Sequence, residues 1–151
     1  MTNALYLPFF NATRDVFSLM LDINSITEIS GSADQVQDLN GKISIAIGVT
    51  GDLQGKILYR FPNETALEMV KIMSGMDFDA IDEFVTSAIG EIANIISGKA
   101  LVILSQQKVT CDILPPKIVA DEQGEQDELI SSTSIATEIG TVGLDISLQA
   151  K

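Results

Sequence analysis

The chain has 151 residues and a formal net charge of −12, from 21 acidic and 9 basic side chains. This length suits one compact domain, and we predict a single domain over residues 1–151. A surface this acidic argues against nucleic-acid binding, which needs clustered Lys and Arg, and it repels anionic membranes. The sequence contains no histidine, which excludes Ser-His-Asp and Cys-His catalysis and histidine-based metal sites.

The N-terminal segment MTNALYLPFFNATRD carries no targeting pattern. It lacks the basic flank and the apolar run of a secretory signal peptide. The apolar stretches elsewhere fall short of the roughly 20 residues that a membrane-spanning helix needs. We therefore expect a cytoplasmic protein with no membrane segment.

The first half of the chain predicts a helix followed by a β-hairpin. Apolar residues recur at helical spacing over residues 3–22, with Pro8 near the first turn. A polar loop or edge segment follows at 24–41. The runs KISIAIGV and KILYRFP then alternate apolar and polar side chains on either side of TGDLQG. This is the pattern of two antiparallel strands joined by a turn.

Two helices, short extended segments and a second hairpin follow. Asn63 is predicted to cap a short helix that ends at Gly75. A second helix of about seven turns begins near residues 79–82. Beyond it lie VTCDI, a Pro-Pro corner, KIVA, a charged loop at 121–128 and a hairpin that turns near Gly140. The order predicts an α/β sandwich of the α+β type, in which helices pack on a mostly antiparallel sheet.

The longer helix carries an unusual polar stripe. At about 100° per residue, its large apolar side chains fall on one broad face. Small and polar residues fall on the other: Ser87, Glu91, Asn94 and Gly98, flanked by Gly90 and Ser97. A solvated face is normally rich in Lys, Glu, Gln and Arg, and glycine within a helix costs up to about 1 kcal/mol. The low, smooth stripe therefore favours docking of another protein.

Two simpler interpretations of the stripe stay open. It is the solvent-facing side of an ordinary amphipathic helix, or Glu91 and Asn94 cap or tether a neighbouring loop.

The segment SAIGEIANIISGKA resembles the CheC/CheX/FliY family of chemotaxis phosphatases. The family motif is Asp or Ser, three residues, Glu, two residues, Asn and a later proline. Ser87, Glu91, Asn94 and Pro115, beside Pro116, match it here. The segments VTGDLQG, ETALEMV and DILPPKIV are also similar to the family. CheC-type chains carry two Glu-x-x-Asn motifs and this chain has one, so the single-site CheX branch is the better match.

The resemblance implies an enzyme that hydrolyses the aspartyl phosphate of a CheY-type receiver domain. It implies a homodimer with no cofactor of its own, and Mg²⁺ on the receiver. Asn94 would hold the attacking water, because phosphoryl transfer depends mainly on positioning and charge stabilisation. Glu91 would fix docking by pairing with a receiver lysine, and a general-base role is the less favoured alternative because it needs a raised pKa. Ser87, Gly90 and Gly98 would line the docking surface.

Two other functions stay open at this point. The first is a non-catalytic adaptor that binds a receiver domain or a flagellar-switch partner without turnover. The intact pair of Glu91 and Asn94 counts against it, because an adaptor has no use for a water-positioning amide. The second is a dimeric structural scaffold, and the stripe of small residues counts against that.

Overall fold

A computed structural model describes residues 2–29, 41–119 and 131–150. In these ranges, helices pack on one face of an antiparallel sheet, as predicted. The elements in chain order are α1 (Thr2–Leu21), β1 (Thr27–Ile29), β2 (Lys42–Gly51), β3 (Leu53–Pro62), α2 (Asn63–Ser74), α3 (Glu83–Ser105), β4 (Cys111–Ile113), β5 (Lys117–Val119), β6 (Ser131–Thr137) and β7 (Gly140–Ala150).

The sheet joins the two predicted hairpins side by side. Its strand order is β1-β6-β7-β3-β2-β4, and β5 also pairs with β2 on the β4 side. Every pairing is antiparallel, with β3 and β7 at the centre. The register places Ile57 opposite Ile146 and Tyr59 opposite Leu144. Directly opposed residues point to the same face, so these apolar side chains form one continuous surface.

The core lies between that surface and the helices. The strands contribute buried side chains at alternate positions, as the period of two requires. The helices contribute buried side chains at helical spacing, including Phe9 and Phe17 from α1 and Ile89, Ile92 and Ile96 from α3. At about 25 cal/mol per Å² of apolar surface removed from water, this shared core is the main force that holds the helices on the sheet.

The structure corrects two details of the predicted helices. Asn63 is the first residue of α2 rather than its cap; Pro62 occupies the cap position, and there is no side-chain cap hydrogen bond. Pro8 lies within α1, which begins at Thr2, and so sits beyond the first turn. The end of α2 is as predicted, because Gly75 adopts a left-handed φ of 76° and its N–H donates to the Lys71 carbonyl at 2.8 Å.

Two predicted loops lie partly or wholly outside the described residues. Within the segment 24–41, Thr27–Ile29 forms the short strand β1, and the part at 30–40 lies outside the described residues. The charged loop predicted at 121–128 also lies outside them.

Helix α3 is the centre of the molecule. By length and composition alone it could cross a membrane, the one such helix in the described part of the chain. Half of its apolar stretch, however, is buried inside the domain. Core helices of folded domains pass the same test, and the burial of Val85, Ile89, Ile92 and Ile96 accounts for the composition of α3.

Candidate functional site

The start of α3 is set by a side-chain cap. Asp82 has an extended backbone, and its carboxylate accepts a hydrogen bond from the Val85 N–H at 2.9 Å. The Thr86 N–H then donates to the Asp82 carbonyl at 3.0 Å, which closes the first turn. An aspartate at this position satisfies one of the free N–H groups of the helix and interacts favourably with its dipole. The cap therefore defines where the polar stripe begins.

Glu91 lies on the line of α3 that points away from the core. Its side chain is exposed, and so is that of Ser87 one turn earlier. Asn94, three residues beyond Glu91, is half-buried. Residues three apart are neighbours on a helix surface. The structure therefore brings the predicted carboxylate and amide together on one accessible surface, with the carboxylate outermost.

The two glycines of the stripe face their own chain. Gly90 is buried, and a Cβ built on it would lie 3.7 Å from Cγ of Pro116. A Cβ built on Gly98, which is half-buried, would lie 4.0 Å from Cδ1 of Ile113. The predicted role of both glycines was to let a receiver approach. On their own chain, the nearest neighbours of these two positions are the proline corner and the end of β4, and their role in docking stays a prediction.

A β-bulge produces that corner. Val49 pairs with Ile113 and Ala46 pairs with Lys117, so two residues of β2 face the three-residue segment 114–116. The Leu114 N–H still donates to the Gly48 carbonyl at 2.9 Å, but the two prolines that follow have no N–H to give. Proline is tolerated here because β4 and β5 form the sheet edge. The bulge brings Pro116 against α3.

Asn94 sits between the two contacts that this corner makes with α3. Gly90, Asn94 and Gly98 follow one another at intervals of four residues and therefore stack along one side of the helix. Pro116 lies beside Gly90, the first of these three residues, and Ile113 lies beside Gly98, the last. The segment between them consequently passes along the level of Asn94. The Asn94 side chain is therefore half-buried, whereas that of Glu91 is exposed.

Ser97 is placed differently from the prediction. The sequence pattern put it at the flank of the exposed stripe, but it is fully buried. Its hydroxyl oxygen lies 2.8 Å from that of Tyr59 on β3, and either hydroxyl could be the donor. Burial raises the pKa of Tyr59 well above its usual range, while the hydrogen bond with Ser97 acts in the opposite direction. The bond ties α3 to a central strand and so fixes which face the helix turns outward.

In residues 2–29, 41–119 and 131–150, no group of three or more Cys, Asp or Glu side chains could hold a metal ion. The chemistry that Ser87, Glu91 and Asn94 offer on α3 is that of one hydroxyl, one carboxylate and one amide.

Comparison with known proteins decides the family. The family model for chemotaxis phosphatase CheX matches residues 43–139, which include all of α3 and the proline corner. The chain is also 34% identical over 119 residues to the CheY-P phosphatase CheX of Thermotoga maritima, covering 78% of this chain and 74% of that relative. The chain belongs to the CheX family of chemotaxis phosphatases.

Solved CheX structures share the fold. A CheX from Vibrio vulnificus is 20% identical and superposes with a TM-score of 0.80 over 99% of both chains. A CheX from Borrelia burgdorferi, solved as a CheX–CheY–BeF₃–Mg²⁺ complex, is 22% identical, with a TM-score of 0.73 over 95% of this chain and 97% of that one. The predicted α+β sandwich of the CheX family is therefore confirmed.

Proposed function

We propose that this protein binds a phosphorylated CheY-type receiver domain and hydrolyses its aspartyl phosphate. Membership of the CheX family supports this, as does the name of the Thermotoga relative, a CheY-P phosphatase. The structural observation that carries the proposal is the pairing of exposed Glu91 with half-buried Asn94 on the outer face of a core helix. Both residues belong to a helix that is packed into the core, and their side chains are accessible to a protein partner.

Asn94 acts on the attacking water in this proposal. Its carboxamide can accept a hydrogen bond from water and donate one to a phosphoryl oxygen. An aspartyl phosphate is an activated acyl phosphate, so what it lacks is a water held in line, and placing that water supplies most of the catalysis. Asn94 is half-buried, so its side chain has less freedom to lose when it holds the water than a fully exposed amide would have.

Glu91 acts in docking. Its exposed carboxylate can meet the lysine near the receiver's phosphorylation site, and a charge-assisted hydrogen bond gains strength once docking excludes water. Because Glu91 and Asn94 lie one turn apart, that contact also fixes the position of the Asn94 amide relative to the phosphoryl group. Ser87, one turn before Glu91, lines the same contact. Gly90 contributes indirectly, by letting Pro116 lie close to α3, whereas half-buried Gly98 keeps the helix surface low where the receiver docks.

The chain supplies no cofactor in this mechanism. The Borrelia complex contains Mg²⁺ together with BeF₃, a mimic of the phosphoryl group. We assign Mg²⁺ in the present reaction to the receiver, which holds it beside its own aspartyl phosphate. The protein would then act in the cytoplasm with its substrate, as a homodimer whose mass light scattering can test.

The test is phosphate release from a phosphorylated CheY-type receiver in the presence of Mg²⁺. Wild type should accelerate decay well above the spontaneous rate, and Asn94→Ala should lose most of that acceleration while still binding the receiver. Gln106→Ala, which removes an exposed amide at the C-cap of α3, is the matched control and should remain active. Binding without turnover by the wild-type protein, across a panel of receivers, would instead identify an adaptor.

A further inference from the structure

Two large apolar side chains are exposed on the same line of α3 as Glu91. Phe84 is 55% exposed and Val102 is 57% exposed. Phe84 precedes Glu91 by seven residues, which is close to two full helical turns. Val102 follows Phe84 by eighteen residues, which is five full turns. All three side chains therefore leave the helix in nearly the same direction. The Glu91–Asn94 pair has an apolar group on either side of it.

The spacing suits a protein partner of receiver size. With a rise of about 1.5 Å per residue, Phe84 lies about 10 Å before Glu91 along the helix axis and Val102 about 16 Å beyond it. The whole line is thus about 27 Å long, close to the diameter of a small domain. One globular partner centred on Glu91 would cover both apolar groups.

Phe84 is held in place before any partner arrives. Its ring stacks on Phe78 with a centroid separation of 5.2 Å and an interplanar angle of 17°. Phe78 lies in the segment between α2 and α3 and itself packs against the core. An aromatic ring that is fixed on one side and open on the other loses little entropy on binding, which is a property of strong interface contacts.

The charge of the surface points to the same use. Glu91 is the only charged residue from Phe84 to Gly98, in a chain whose net charge is −12. The centres of protein interfaces are depleted of charged residues and enriched in aromatic ones. A surface with few acids also reduces repulsion from the acidic phosphorylation site of a receiver. The composition of this line therefore differs from that of the chain as a whole.

We propose that Phe84 and Val102 are apolar anchors that contact the receiver on either side of Glu91 and Asn94. The inference rests on the proposed function for the identity of the partner. The anchors set the affinity for the receiver, and Glu91 and Asn94 act on the phosphoryl group between them. The anchors touch parts of the receiver that do not react, so they affect binding and leave the chemical step unchanged.

The experiment measures binding and turnover separately. Binding uses a CheY-type receiver loaded with beryllofluoride and Mg²⁺, which mimics the phosphorylated form and cannot be hydrolysed. Phe84→Ala should weaken binding about tenfold, which places it among the minority of interface residues whose truncation costs more than about 1 kcal/mol. Val102→Ala removes less surface and should weaken it by about threefold. Both variants should raise KM for the phosphorylated receiver with kcat near wild type. Phe84→Leu should recover much of the affinity.

Leu19→Ala is the matched control. Leu19 is 78% exposed but lies on α1, so its loss should change binding less than twofold. Thermal unfolding of each variant checks that the fold is intact. Binding by Phe84→Ala and Val102→Ala within twofold of wild type would overturn the inference, even if Asn94→Ala still abolished turnover. Anchor-dependent binding without wild-type turnover would uphold the anchors and reject the phosphatase. Failure of wild type to bind any receiver would overturn both.

Discussion

Pro116 lies against Gly90, where a Cβ built on the glycine would come within 3.7 Å of Cγ of the proline ring. That is an ordinary contact distance, so a methyl group fits without displacing the corner. A larger side chain does not fit, because Gly90 is buried. Gly90 therefore limits how closely Pro116 can approach α3, one turn before Asn94.

Substitution of Gly90 should separate stability from activity. Gly90→Ala should raise the free energy of unfolding by about 0.5–1 kcal/mol, because alanine is the better helix former and has room here. Gly90→Leu should push Pro116 away from α3. We expect it to lower phosphatase activity by a larger factor than it lowers affinity for the receiver. Chemical denaturation and phosphate release measure the two effects. Loss of receiver binding in Gly90→Ala would contradict this, because it would mean that the partner touches Gly90 directly.

Glu91 should behave as a docking group rather than a base. We expect Glu91→Gln to raise KM for the phosphorylated receiver and to leave the shape of the pH profile of kcat unchanged, because the carboxylate carries no proton in the reaction. Steady-state kinetics from pH 6 to 9 measures this. A general base would give the opposite result, namely a large fall in kcat together with the loss of the acidic limb of the profile.

Substitutions of Tyr59 and Ser97, which share a buried hydrogen bond, should have non-additive effects on the free energy of unfolding. Tyr59→Phe leaves the Ser97 hydroxyl without this partner, and we expect a loss of about 1–3 kcal/mol in the free energy of unfolding. Ser97→Ala should have a similar effect for the same reason. In the double variant neither hydroxyl is left behind, so its loss should be smaller than the sum of the single losses. Strictly additive losses from denaturation curves would show that the bond does not hold α3 to β3.

Tyr59 should also make the fold sensitive to alkaline pH. Its pKa is raised in the folded state by burial, whereas in the unfolded chain it ionises near pH 10. Above that pH the unfolded state loses a proton that the folded state retains, so unfolding becomes more favourable as pH rises. Below it, the contribution of Tyr59 is constant. Comparison of wild type with Tyr59→Phe between pH 8 and 11 isolates the effect, since the variant should lack this part of the slope.

The predictions made from local pattern were accurate where the cause is local. The two hairpins follow from alternation, α3 follows from helical spacing, and the end of α2 follows from Gly75. The position of Glu91 opposite the core also follows from the sequence, because a helix converts spacing directly into direction. Asn63 was misjudged because the strand leading into it places Pro62 at the cap position.

The sequence by itself determined the order of the elements and the outward direction of Glu91, since these depend on neighbours within a few turns of chain. Only the tertiary structure decided what lies beside them. Ser97 is paired with Tyr59, a residue 38 positions away, and Gly90 is covered by a proline from the far edge of the sheet. The physical reason is that helical spacing fixes the direction in which each side chain leaves the helix axis, but not what it meets there. Which neighbour fills each direction depends on sheet register and on the bulge that turns Pro116 toward α3.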